Sequence, residues 1–446
     1  MLSVLANRTY RHLFLAQLIA LVGTGLATVA LGLLAYDLAG GDAGAVLGTA
    51  LAIKMIAYIG VAPIAGAFAD RVPRKALLVA LDLVRAGVAI CLPFVTEVWQ
   101  VYLLIFVLQS ASAGFTPTFQ ATIPDVLPDE KDYTRALSMS RLAYDMESLT
   151  SPMLAAALLT VINFHWLFSG TAVGFLASAA LVVSSGLSKT VAPDKRQGDG
   201  IYAKTTRGIR IYLKTPRLRG LLAINLAAAA ASAMVIVNTV VMVRGLGLGQ
   251  PQVAVTLAVY GGGSMLAALL LPRILDRVAD RPIMIGAAAL LTIALGVLAA
   301  VGATMPAGQL GWPILLASWP ILGIAYSMSI TPSGRLLKRS ANADDRPALF
   351  AAQFALSHVC WLIAYPLAGQ LGAHAGMPAA FTAMAVLAGI GVVAALMFWP
   401  AGDPDEIAHA HEDLPADHPH RRDAHGSGAA SHAFVIDDLH QHWPGR

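Results

Sequence analysis

Long apolar runs alternate along this chain with short polar stretches that hold nearly all of its charge. A helix that crosses a bilayer needs about 20 apolar residues. Twelve runs reach that length, at roughly 13–36, 46–69, 76–95, 99–120, 138–161, 166–187, 218–242, 252–274, 282–302, 311–330, 348–371 and 378–399, here spans one to twelve. The pattern predicts an all-α integral membrane protein with twelve transmembrane helices.

The basic residues orient the spans, because Lys and Arg stay in cytoplasmic loops during insertion. Arg8 and Arg11 precede span one, Arg71, Arg74 and Lys75 separate spans two and three, and Lys131 and Arg135 separate four and five. Nine bases from Lys189 to Arg219 fill the gap between six and seven. Arg273, Arg277 and Arg281 follow span eight, and Arg335, Lys338, Arg339 and Arg346 follow span ten. The opposite loops carry only Arg244. Both termini are therefore expected in the cytoplasm, with no cleaved signal segment.

Composition agrees. Hydrophobic residues make up 57% and charged residues 13%, against about 25% charged in soluble domains. The formal charge of +4 sits in loops between spans, so no nucleic-acid partner follows from it. Cys91 and Cys360 fall in apolar segments, where they read as packing residues rather than a disulfide or metal site. There is no GxxxxGK[ST] phosphate loop, no HExxH and no GxSxG, so neither ATP hydrolysis nor an intramembrane enzyme is expected. No bound cofactor is expected either.

Two patterns repeat. The loop Gly66–Lys75, with Asp70 and Arg71, is echoed about 206 residues later by Asp276, Arg277, Asp280 and Arg281. Thr116-Pro117, Asp129-Glu130 and Pro152 are echoed by Thr331-Pro332, Asp344-Asp345 and Pro366 at offsets of 214 to 215. Two pseudo-symmetric six-helix halves follow, residues 1–187 and 218–400, joined by a basic, partly helical linker at 188–217 lying along the membrane surface. Halves related in this way place a substrate site between them near the midplane.

The Gly66–Lys75 loop resembles the signature loop between the second and third helices of the major facilitator superfamily, Gly-x-x-x-Asp-Arg-x-x-Arg-Lys, with Pro73 where the family usually has Gly. The resemblance runs over about residues 8 to 400. It implies that Gly66, Asp70, Arg71, Arg74 and Lys75, with Asp276 and Arg277 in the degraded second copy, gate a transport cycle rather than bind cargo.

Ionisable residues inside spans are costly and face a cavity or a partner. Lys54 is near the middle of span two. Asp82 and Arg85 share a face of span three and read as a structural pair. Span five carries Arg141, Asp145 and Glu147; Arg141 and Asp145 can pair, while Glu147 lies about 200° from Asp145 and cannot share its cavity. The repeat offset sets Asp145 level with His358 in span eleven. A buried carboxylate there can take a proton on one side and release it on the other. Proton coupling through Asp145 or Glu147, with His358 near the cargo path, stands beside the plainer reading of an ion pair and a hydrogen-bonded histidine.

The stretch 401–446 is polar and is expected to be disordered. It holds eight of twelve histidines, His409, His411, His418, His420, His425, His432, His440 and His442, interleaved with acids and one apolar patch, Phe434-Val435-Ile436. Clustered imidazoles suit nickel, cobalt or zinc. Twelve spans with such a tail resemble the nickel-resistance permeases of the superfamily's drug–proton antiporter branch, which also exports macrolides, siderophores and other drugs. The expectation is a monomeric, multi-pass transporter of a bacterial inner membrane, exporting nickel or a related divalent ion against protons. A drug, macrolide or siderophore exporter is the alternative.

Overall fold

The computed structural model describes residues 2–69, 72–129, 132, 136, 139–140, 143, 147, 150–151, 153–187, 201–275, 277–342, 345–403, 406–409, 430–437, 439–440 and 442–443. Helices stand where eleven of the apolar runs predict them: Arg8–Ala39, Ala43–Ala69, Arg74–Cys91, Val98–Val126, His165–Ser184, Pro216–Gly245, Gln250–Leu275, Asp280–Thr304, Trp312–Ile330, Arg346–His374 and Met377–Phe398. The described residues of span five from 139 to 158 are helical as well. Among the described residues, ten helical stretches are long and apolar enough to cross a membrane, the first, Arg8–Val61, joining spans one and two. In lipid a helix satisfies its own backbone polar groups, which is why these runs take that form.

Local chemistry sets the ends. Asn7 accepts a hydrogen bond from the Tyr10 amide at 3.0 Å and starts span one. Gln100 reaches back to the amides of Thr96 and Glu97, at 2.9 and 3.2 Å, and starts span four. Asp82 and Arg85 form the expected pair, fully buried in the N-terminal half. Ser178 donates to Asp82 at 2.7 Å, and the Arg85 guanidinium lies 4.1 Å from the Phe115 ring centroid and 4.5 Å from that of Phe175. Removing one member of a buried pair strands the other's charge, at a cost of about 3–5 kcal/mol. Asp82→Ala is therefore expected to lower the thermal unfolding midpoint of purified protein sharply, read by tryptophan fluorescence in detergent.

The linker folds more fully than expected. Helix Ile201–Lys214 packs on the start of span eleven: Arg207 grips Asp345 through two bonds of 2.6 and 3.1 Å, and the buried Tyr212 hydroxyl donates to Gln353. Burial pushes the Tyr212 hydroxyl well above its ordinary pKa. Cys360 is buried as expected, but Cys91 is exposed on the outer face of span three, where a small apolar side chain needs no partner.

The described residues of the tail are ordered against the rest of the chain. Glu406–His409 pairs antiparallel with Ala430–Ala433, and Phe434, Val435 and Ile436 are buried. Arg217, at the start of span seven, donates to the Phe434 carbonyl at 3.4 Å and lies over the Trp443 ring. Asn342 donates to Asp437 at 3.3 Å. Asp437 in turn accepts from the His440 amide and Nδ1 at 2.8 and 2.9 Å. The apolar triplet is the reason, since burying three large side chains outweighs ordering a short segment. Burial alone would raise the Asp437 carboxyl; the bonds from His440 and Leu439 outweigh it and hold the group below its ordinary value. That contribution is present above the ordinary carboxylate pKa of about 4 and is lost as pH falls through it. Phe434→Ala is expected to release the segment, so that limited proteolysis at neutral pH removes it many times faster than from the unaltered chain.

Candidate functional site

Span two brings the site together. Lys54 lies one turn before Tyr58, so the ammonium sits 5.9 Å from that ring's centroid. It lines a cavity of about 20 Å³, room for a water or two, with Thr24 and Thr28 of span one, Gln109 and Ser112 of span four and Phe175 of span six. Gln109 is buried and its Oε1 has no hydrogen-bond partner. Glu147 of span five lies close enough for its charge to attract that of Lys54. Its carboxylate lies against Gly25 of span one, where an added Cβ would sit 2.6 Å from Oε1 and 2.1 Å from the Ser151 hydroxyl. Only glycine at position 25 lets span five carry an acid so close to span one.

Residues of the C-terminal half stand on the far side of Tyr58. His358 stands 5.4 Å from the Tyr58 ring centroid, and Phe354 stands 5.9 Å from it. His358 Nδ1 is 2.6 Å from the Phe354 carbonyl. A carbonyl only accepts, so Nδ1 carries the hydrogen and the neutral ring keeps Nε2 as an acceptor. Beyond it runs an aromatic cluster: Trp361 and Tyr365 with centroids 5.0 Å apart, Tyr326 at 6.3 Å from Trp361, and Tyr260 at 6.1 Å from Tyr326. The arrangement offers one ammonium, one carboxylate, one imidazole and a broad π surface, suited to a cation or an amphipathic body.

Spans two and eleven also seal one end, the end opposite the basic loops. A Cβ on Gly48 would meet the Tyr365 carbonyl at 2.5 Å, and one on Gly369 would meet the Gly44 carbonyl at 2.1 Å. Asn238 of span seven donates to the Ala368 carbonyl beside them at 3.0 Å.

The sequence-predicted residues divide. Lys54, Glu147 and His358 come together. Arg74 and Lys75 open span three and Arg277 is exposed after span eight. Gly66 ends up in the last turns of span two. Asp70, Arg71, Asp276, Arg141, Asp145, His411, His418, His420 and His425 lie outside the described residues, as do the side chains of His409 and His432. His440 is buried on Asp437, and His442 is exposed. In the second loop copy it is Asp280 that finds a partner, Arg335 at 3.6 Å. Tyr58, Phe354 and Gln109 were not singled out for the cargo path; the Lys54–Tyr58 spacing on one helix face was the available signal for the first.

A bundle of long apolar helices with a small polar cavity among spans one, two, four and six is consistent with a membrane transporter, and comparison with known proteins gives the family. The chain belongs to the Major Facilitator Superfamily, whose model matches residues 13–310 and 221–429. It is a multi-pass membrane transporter and not an enzyme. It is 24% identical over 330 residues to an uncharacterized MFS-type transporter, YfiS, of Bacillus subtilis, covering 72% of this chain and 76% of that one. It is 28% identical over 125 residues to Macrolide efflux protein A of Streptococcus pyogenes, 26% of this chain and 31% of that one. In fold it is similar to a bacterial homolog of the human lysosomal transporter Spinster, with a TM-score of 0.66 at 15% identity over 87% of this chain and 97% of that one.

Proposed function

We propose that this chain is a proton-coupled exporter of the bacterial inner membrane, working by alternating access with both termini in the cytoplasm, whose cargo is an amphipathic organic molecule. The observation that carries the reading is an aromatic surface in two groups, Tyr58 with Phe354 and His358 beside Lys54, and Trp361 with Tyr365, Tyr326 and Tyr260. Such a surface holds a large apolar or cationic body by contact and π attraction, and does little for a bare hydrated metal ion. Glu147 supplies the proton site, since a carboxylate off the aqueous phase binds either a proton or a positive partner. The partial similarity to a macrolide efflux protein supports an organic cargo.

A second reading, export of nickel, cobalt or zinc, rests on the eight tail histidines. Among the described residues no group of three His, Cys, Asp or Glu side chains converges. On this reading the tail gathers the ion and transit runs past Glu147 and His358.

One experiment separates them. A host lacking its own efflux pumps is grown with the protein in nickel, cobalt, zinc, a macrolide and ethidium, with a version truncated after Gly402 alongside. Organic reading: tolerance to a macrolide or ethidium rises with full-length and truncated chains alike. Tolerance confined to a metal, and lost on truncation, overturns it.

A further inference from the structure

Lys54 places an ammonium at a small polar cavity among spans one, two, four and six, and coupling through Glu147 alone does not require it. Its surroundings offer two resting places. One is the Glu147 carboxylate of span five. The other is the small polar cavity behind it, where Gln109 Oε1 is buried without a partner. The hydroxyls of Thr24 and Thr28 donate to backbone carbonyls at 2.9 and 3.0 Å there, which leaves their oxygens as acceptors. From span eleven, His358 faces the same ammonium and adds no second carboxylate. An orphan acceptor beside a flexible three-donor group is a vacancy the group can fill.

We propose that Lys54 is a tethered counter-ion: it neutralises Glu147 when neither proton nor cargo is bound and withdraws to Gln109 when either arrives, so that the site selects a cationic organic cargo. This rests on the exporter reading of the same site. Charge counting gives the selectivity. With Lys54 on Glu147 the pair is neutral. A proton on Glu147 makes the site +1, and so does a monocation paired with Glu147 while Lys54 sits on Gln109. One proton then exchanges for one monocation without changing the charge held away from water, where a change is costly. An anion on Lys54 would instead leave Glu147 unpaired beside a second negative charge. A neutral cargo would not displace Lys54 at all. Lys54 is thus a specificity-determining residue, and Gln109 positions it.

The test is binding and transport of ethidium, a permanent aromatic monocation, by purified full-length protein in detergent and by everted vesicles. Because Lys54 lowers the fraction of protein whose Glu147 is free, removing it tightens binding: Lys54→Gln is expected to lower the ethidium Kd about fivefold or more. Its maximal transport rate falls, since the empty site now holds an unpaired acid. Gln109→Leu removes the second resting place and moves Kd the other way, weakening binding by about threefold or more. A Lys54→Gln protein that is folded by size-exclusion profile and binds ethidium no tighter overturns the proposal. So does a Gln109→Leu protein that binds it as tightly as Lys54→Gln. The unaltered protein tests the exporter reading by itself: no pH-driven movement of any organic probe sinks that reading, whereas macrolide export without ethidium export sinks only the counter-ion.

Discussion

Glu147→Gln is expected to abolish export against a gradient while leaving the transporter folded. Glutamine keeps the volume and one acceptor oxygen, so the close fit against Gly25 and Ser151 survives. What it loses is the choice between holding a proton and holding a cation. In everted vesicles with an imposed pH gradient, uphill accumulation by the Gln variant should fall to that of vesicles lacking the protein. Ethidium binding should weaken, since no carboxylate remains for the cation to pair with, and what binding is left should no longer vary with pH. Asp145→Asn, the other acid of span five, lies about 200° around the helix and is the control. If Asp145→Asn alone destroys accumulation, the proton site is Asp145. Full accumulation in both variants would remove coupling through span five altogether.

Most of the architecture is legible in the sequence because lipid imposes a simple rule. Apolar runs of span length can only be helices there, and among the described residues eleven of the twelve predicted spans have their helices close to the expected bounds. The linker helix and the docked tail were harder to read for one reason. Both are held by a few long-range contacts, among them Arg207 on Asp345 and Arg217 on the Phe434 carbonyl, which no periodicity announces. The apolar triplet at 434–436 was visible, but what it would pack against was not. At the site, charge cost pointed to Lys54, Glu147 and His358, since an ionisable residue in a span needs a reason. Gln109 carries no such signal, because an amide in a span reads equally well as a cavity-lining group or an interhelix contact. Its orphan oxygen is a property of three-dimensional packing. The aromatic surface is gathered from spans two, eight, ten and eleven, so no single stretch of sequence displays it.

Gly369→Val is expected to jam the transport cycle without touching the cargo site. Spans two and eleven meet through backbone at the end opposite the basic loops: the added Cβ would sit 2.1 Å from the Gly44 carbonyl and 3.2 Å from the Ala45 Cα. No flexible side chain can yield there, so the helices must part. Overpacking of this kind costs about 1–3 kcal/mol, which shifts the balance between end-closed and end-open states by about 5- to 150-fold. Alternating access needs both states, so export should fall more than about tenfold, while ethidium binding in detergent stays near that of the unaltered protein. A reporter at Thr49, which lies 3.5 Å from the Gln370 amide across the seam, checks the direction. Thr49→Cys, in a chain carrying Cys91→Ser to remove the exposed native thiol, should react with a membrane-impermeant maleimide faster once Gly369→Val is added. Gly41→Ala, at a position with nothing within 4 Å of the added atom, should change neither rate. Equal labelling with and without Gly369→Val, together with lost export, would mean that the valine disrupts folding rather than holding the seam apart.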